Sequence, residues 1–414
     1  MFAISTIQAA LIVKDEKFVK INKEYLIVES KKIDVDKYLQ LEKDELVEYL
    51  LPTNSTVTIK TKLDDFYQLS PYNSSITGSL SDIEMISKDN IIKGRYPENA
   101  NEIVVDKMVL EKELKKTTTK MCGLLSINDY LDREVLIEQM DSKKIVGIVD
   151  LNSPSIYVDK NQFIWILQHT KNNQEDQNVY ISNEYYDYFE ERSNYDDYGF
   201  YINQIILKEG RFPTGDYETI IPISQKEQYK LGKEYNKKVN DHKLIVVGYY
   251  ESKRTINSIL VSTQTLKYYV ISKSSNIAIK PVNKEEAIKK IQDEYQMTVK
   301  DSYKVSREIY IEQNKNYVKS ILITSAIILA ISLIEIVLMM RSSFLSHVKE
   351  VGIYRAIGVK KFDIYIMFSG EIIAITTMAC IPGLVLSAYI LSILSKVEFL
   401  TDYLEVNIII ILII

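Results

Sequence analysis

Few residues in this 414-residue chain have the types and spacing that chemistry needs. The three histidines, His169, His242 and His347, stand singly and read as surface or core residues rather than metal ligands or general bases. Cys122 and Cys380 lie in segments of different character, so no disulfide and no CxxC or Cys/His metal site is expected. No GxxxxGK(S/T) phosphate loop occurs, and no Ser/His/Asp set or paired-histidine motif is apparent. The densest group of functional side chains is the stretch 350–364, EVGIYRAIGVKKFDI. Glu350, Arg355, Lys360 and Lys361 alternate there with Gly352, Ala356 and Gly358. Its chemistry is recognition: charges for ion pairs, and small residues that permit close backbone approach and sharp turns. Glu335 and Glu371 are acids placed at apolar segments, which makes them functional suspects. Glu335, six residues before Arg341, reads as an acid that reaches the interface or pairs with a cation on a neighbouring helix.

The elements that carry this stretch are apolar. Residues 320–340, SILITSAIILAISLIEIVLMM, hold one charge and would form a helix about 31 Å long, matching a bilayer core of roughly 30 Å. Residues 372–394 are uncharged and read the same way, with a kink expected at Pro382–Gly383. The run at 406–414, VNIIIILII, is too short to span and reads as the start of a truncated helix. The segment 341–363 holds Arg341, Lys349, Arg355, Lys360 and Lys361, against Lys396 alone in 396–405. That asymmetry puts the basic loop in the cytoplasm and the body of the chain outside. Residues 1–13 carry no basic n-region and read as a possible remnant of a first transmembrane helix.

The charge is divided along the chain. Residues 1–319 carry 45 Lys and Arg against 49 Asp and Glu, while 320–414 carry only 6 and 7. The first part therefore reads as a water-exposed body and the last quarter as membrane; no basic face implies nucleic acid. Composition, 46% hydrophobic and 26% charged, fits a folded chain of two or more domains. Residues 14–304 read as an extracytoplasmic α+β domain with an internal echo. IIKGRYPENANEIVVDK (91–107) is matched by ILKEGRFPTGDYETIIPIS (206–224), so 80–165 and 200–270 read as two related α/β units. A strand (276–280), an amphipathic helix (283–295) and a short strand follow. The helix beginning near 305 is expected to run unbroken into the span, giving 305–340 as strut and transmembrane helix. The loop 341–369, the helix 370–395, the external loop 396–405 and the stub 406–414 complete the expected order. The stretch 184–201 packs six tyrosines and six acids, and reads as an amphipathic helix followed by a loop or as a patch for a cationic ligand.

At this point the motif and its setting resemble a known family. Glu350, Val351, Gly352, Arg355, Ala356, Gly358, Asp363 and Ile364, between two apolar helices, resemble the signature of FtsX-like (MacB-type) ABC transporter permeases. The preceding MRSSFLSHVK and the following Glu371 are similar to the family as well, and GRYPENANEIVVDK looks like its external domain. The chain departs from the usual small-residue spacing at Cys380, Ile381, Pro382 and Gly383. The resemblance implies a multi-pass, non-catalytic subunit of the bacterial cell membrane, paired with a second permease copy or homologue and surrounded by membrane lipids. It implies a separate ABC ATPase that binds the ATP and Mg²⁺, no cofactor being held by this chain. Glu350, Gly352, Arg355, Ala356, Gly358, Lys360 and Lys361 would then couple to that ATPase, in a short helix ended by turns at Gly352 and Gly358. The substrate would be a peptide or lipid-like molecule, exported or extracted from the membrane. Antimicrobial peptide export or resistance is a theme of similar permeases. The alternative is an FtsX-type signal transmitter that activates a cell-wall hydrolase.

Overall fold

The computed structural model describes residues 6–7, 10–29, 33–53, 56–63, 74–136, 142–169, 195–253, 256, 259–274 and 276–394. It divides into two compact units, residues 18–308 and residues 1–17 with 309–414. The expected segments 396–405 and 406–414, and most of the tyrosine-rich stretch (184–194), lie outside the described residues.

The larger unit begins a sheet that it completes only at its far end. Strand β1 (Leu26–Glu29) leads to helix α1 (Val35–Glu42), whose N-terminus is capped by Asp34 accepting from the Asp36 N–H at 2.8 Å. Strand β2 (Val47–Leu51) follows, and the chain then leaves for residues 52–275.

This excursion is a duplicated α/β unit. The first copy holds β3 (Thr56–Thr61), β4 (Ser75–Asp82), β5 (Ile91–Gly94), β6 (Glu102–Asp106), helix α2 (Lys107–Leu114), β7 (Glu134–Leu136), β8 (Lys143–Val149), β9 (Ser155–Val158) and helix α3 (Lys160–His169). The second holds β10 (Tyr195–Asp197), β11 (Ile205–Gly210), β12 (Glu218–Pro222), β13 (Glu234–Val239), β14 (His242–Ser252), β15 (Ile259–Val261) and helix α4 (Thr263–Lys273). The sheet orders are β5-β8-β6-β9-β4-β3-β7 and β10-β15-β12-β14-β11, with β7 also on β8 and β13 on β14. Strand for strand, β4 to β9 correspond to β10 to β15, and each pairing keeps its sense. Even the irregularity recurs, since the β6–β8 register shifts at Ile103/Val104 and the β12–β14 register at Thr219/Ile220. Two related α/β units are therefore present, as the sequence predicts.

The Gly-Arg-aromatic-Pro turn is the same device in both copies. Gly94 and Gly210 sit at φ +77° and +78°, where a Cβ would lie 2.1 Å from the Val146 carbonyl oxygen and 2.2 Å from that of Val247. Only glycine fits. The next residue, Arg95 or Arg211, folds back onto the glutamate seven positions on. Arg95 donates through both terminal nitrogens to Glu102, at 2.7 and 2.5 Å, and Arg211 makes the same fork on Glu218. The backbone N–H groups of Glu98 and Thr214 donate to the same carboxylates at 2.8 and 2.9 Å. The arginine hydrogen bonds hold both carboxyls down at about 2.

The chain then returns through β16 (Asn276–Pro281), helix α5 (Lys284–Asp293) and β17 (Thr298–Asp301). The completed sheet runs β17-β1-β16-β2, antiparallel throughout. This β-α-β-β-α-β order is the ferredoxin-like arrangement, with the duplication inserted between its second and third strands. Its central strands are apolar on both faces; Leu26, Ile27, Val28, Ile277, Ala278 and Ile279 are all buried. Trp165 of α3 ties the two copies together, its indole N–H donating to the buried Asp196 at 2.9 Å.

Candidate functional site

Three helices build the segment that holds the predicted recognition residues. Helix α6 (Ser302–Ser346) starts directly after β17, where Asp301 accepts from the N–H groups of Tyr303 and Lys304 at 3.1 and 3.2 Å. It is one uninterrupted helix. Helix α7 (Val348–Ala356) follows after the single residue His347, and helix α8 (Lys361–Leu394) runs on unbroken through Pro382. The expected loop 341–369 is thus the end of α6, all of α7 and the first turns of α8. Helices α6 and α8 are long and apolar enough to cross a membrane, and their apolar windows are almost wholly unburied.

The two glycines of the motif do different work, and one expectation fails here. Gly358 stands at φ +92° just past α7, with its N–H on the Arg355 carbonyl at 3.1 Å and the Val359 N–H on the Tyr354 carbonyl at 3.0 Å. That paired bonding is a Schellman cap, which needs a left-handed residue. Gly352 does not form a turn; it lies inside α7 with nothing within 4 Å of where a Cβ would sit. The cause is that α7 already has its stop signal at Gly358, so the earlier glycine is absorbed into the helix.

His347, which sequence reasoning set aside, organises the corner. Its Nδ1 meets Glu350 Oε2 at 2.9 Å, and its ring lies 5.3 Å from that of Phe368 on α8. The signal was the i, i+3 spacing to Glu350 at a helix start. Buried Phe368 and Ile364 anchor α8. Beside them a cavity of about 410 Å³ opens between Arg341, Leu345, Val348, Tyr365 and Ile372. The outward surface is mixed: Lys349, Glu350, Arg355, Ala356, Lys360 and Lys361 are exposed next to Ile353, Ile357 and Phe362, which are 62%, 72% and 72% exposed. Basic heads are thus interleaved with bare apolar side chains on one exposed surface. Glu335 and Glu371 are exposed on α6 and α8, away from this cluster in sequence, and no ion pair holds either among the described residues.

Residues 322–414 match the family model of the FtsX-like permease C-terminal domain. That match makes the C-terminal part of this chain similar to the FtsX-like permeases. Solved structures with local likeness include the periplasmic region of MacB from Actinobacillus actinomycetemcomitans. It is 12% identical over 34% of this chain and 66% of that one, with a TM-score of 0.22. Another is the extracellular domain of the noncanonic ABC-type transporter YknZ from Gram-positive bacteria. It is 14% identical over 33% of this chain and 73% of that one, again at 0.22. The chain spans less than two thirds of the MacB region. No curated protein matches it.

Proposed function

We propose that this chain is the membrane subunit of an ABC transporter, driven by ATP hydrolysis on a separate ATPase. The observation that carries the reading is α7, a capped, solvent-facing helix of basic and apolar side chains inside the FtsX-like permease region. Five basic residues between the two apolar helices favour a cytoplasmic location for it, and hence an extracytoplasmic one for residues 18–308. The chain is then multi-pass, non-catalytic and dimeric with a second permease, the nucleotide being held by the ATPase. Closure of the ATPase on ATP would push α7, and α6, helical from Ser302 to Ser346, supports transmission toward the body. The duplicated external body is large for a protein that only signals to a cell-wall hydrolase, which favours export or membrane extraction of a peptide or lipid-like substrate.

The test is purification of the chain from its native membrane, wild type against a variant carrying Arg355→Glu and Gly358→Val. The reading expects a co-purifying protein with a phosphate loop and ATP hydrolysis for the wild type, and its loss in the variant. An inserted, folded wild type that brings down no such protein would sink it.

A further inference from the structure

The duplication provides an internal control for one buried carboxylate. Asp82 ends β4 opposite Val158, and Asp197 ends β10 opposite Val261, at equivalent places in the two copies. Each accepts from the backbone N–H two residues on, Glu84 at 3.0 Å and Gly199 at 2.8 Å, and each is at most 3% exposed. In the second copy the hydroxyl of Thr263, first residue of α4, donates to the other oxygen of Asp197. In the first copy that position is Lys160, first residue of α3, and its ammonium goes instead to Glu84 at 2.8 Å. Asp82 has the Tyr49 hydroxyl as a further hydrogen-bond partner, with Lys160 as a charge beyond hydrogen-bond reach, and lines a cleft of about 200 Å³.

The cleft lies where α1 and β2 meet α3 and α4. Its walls include Leu51, Phe163 and Ile164. Lys267 at the rim is already engaged, paired with Glu42 at 2.5 Å and held 5.4 Å above the Tyr38 ring. Among the lining residues three carboxylates, Glu42, Glu48 and Asp82, outnumber two ammonium groups, Lys160 and Lys267, and both ammonium groups are already paired with glutamates. The volume is below the roughly 300–1,000 Å³ of drug-sized sites, so the occupant is a group of side-chain size.

We infer that this cleft binds a primary ammonium group on a short apolar body, with Asp82 as the anionic partner and Leu51, Phe163 and Ile164 around the body. A carboxylate this deep, with two hydrogen-bond donors and no cation in direct contact, is further stabilised as an anion by a close charge partner, which a bound ammonium supplies. Burial raises the Asp82 carboxyl above its usual range, against the lowering by the Tyr49 hydroxyl and by the more distant Lys160 ammonium, which is held on Glu84. The same chemistry is carried by a lysine side chain and by an aminolipid headgroup. The inference concerns residues 18–308 and stands apart from the permease reading.

The experiment is a calorimetric titration of the full-length chain in detergent with phenylethylammonium, then with N-acetyl-lysine amide and with phosphoethanolamine. Trp165, the only tryptophan and two residues from Phe163, gives a parallel fluorescence signal. Asp82→Asn keeps an oxygen for the Glu84 N–H, and Asp197→Asn is the matched control. Saturable binding of phenylethylammonium, weakened at least about tenfold by Asp82→Asn and unchanged by Asp197→Asn, is the expected result. Preference for the lysine amide assigns the source to peptides, and preference for phosphoethanolamine to lipid headgroups. No saturable heat from any of the three overturns the inference. So does equal binding by wild type and Asp82→Asn, or equal weakening by the two substitutions at matched thermal stability.

Discussion

Gly94 and Gly210 show how much a single residue can decide. A side chain there meets both a left-handed backbone and a carbonyl oxygen near 2 Å. Gly123 and Gly232 share the positive φ but have nothing within 4 Å. Gly94→Ala is therefore expected to destabilise residues 18–308 by at least about 3 kcal/mol, and Gly232→Ala by only about 1 kcal/mol. Thermal unfolding followed by Trp165 fluorescence separates the two. The carboxyls give a pH signature of two opposite signs. Burial pushes Asp106 up to about 6, against 3.8 for the free side chain. Its folded form thus binds protons more readily than the unfolded chain, and stability rises as pH falls from about 6 toward 4. Burial raises Asp82 and Asp197 in the same direction. Glu102 and Glu218 work the other way, since their folded values near 2 lie below 4.5. Their contribution is complete above about 4.5 and is lost as pH falls toward 2. A melting temperature that climbs between pH 7 and 5 and drops below pH 4 is expected. A profile falling steadily from pH 7 would contradict it.

At the scale of elements, α7 is defined by its cap. Gly358→Val forces a β-branched residue into the left-handed region and breaks the Schellman bonds, costing about 1–2 kcal/mol locally. Gly352→Ala is expected to be neutral or stabilising by up to about 1 kcal/mol, because the site is helical and open. On the proposed function, co-purification of the ATPase is reduced by the first change and kept by the second. Equal effects from both would mean that the cap does not shape the docking surface. These positions also mark what the sequence reveals. The Gly-Arg-aromatic-Pro turns were legible because their stereochemistry is local, and the glutamate seven residues on was visible in both copies. Its pairing with the arginine was not, since nothing in spacing alone says that the turn closes on itself. The role of Gly352 was misread because two glycines in one motif look alike until a backbone angle distinguishes them.

The molecule as a whole hides its most consequential pairing from any local reading. Strand β1 pairs with β16 and β17, and β2 with β16, across the intervening residues 52–275, and β17 leads directly into α6. No window of sequence carries that signal; it is settled by which apolar strands need covering on both faces. Asp82 escaped notice for the same reason, because its cleft is assembled from α1, β2, α3 and α4. Completion of the ferredoxin-like sheet brings the start and end of the larger unit together. Ser302, the first residue of α6, donates to the Tyr25 carbonyl just before β1 at 2.9 Å. Ser302→Pro removes that bond and is expected to lower the melting temperature by several degrees, through about 1–2 kcal/mol. An unchanged melting temperature would mean that the junction between sheet and helix carries little stability.

The most direct measurement for the central claim is a photo-crosslinker placed at Ile353, exposed on α7, in the full chain in its native membrane. The account predicts a crosslinked partner that carries a phosphate loop and hydrolyses ATP, lost when Gly358→Val is introduced. Crosslinks to lipid alone, or to the permease's own helices with no ATPase, would contradict it.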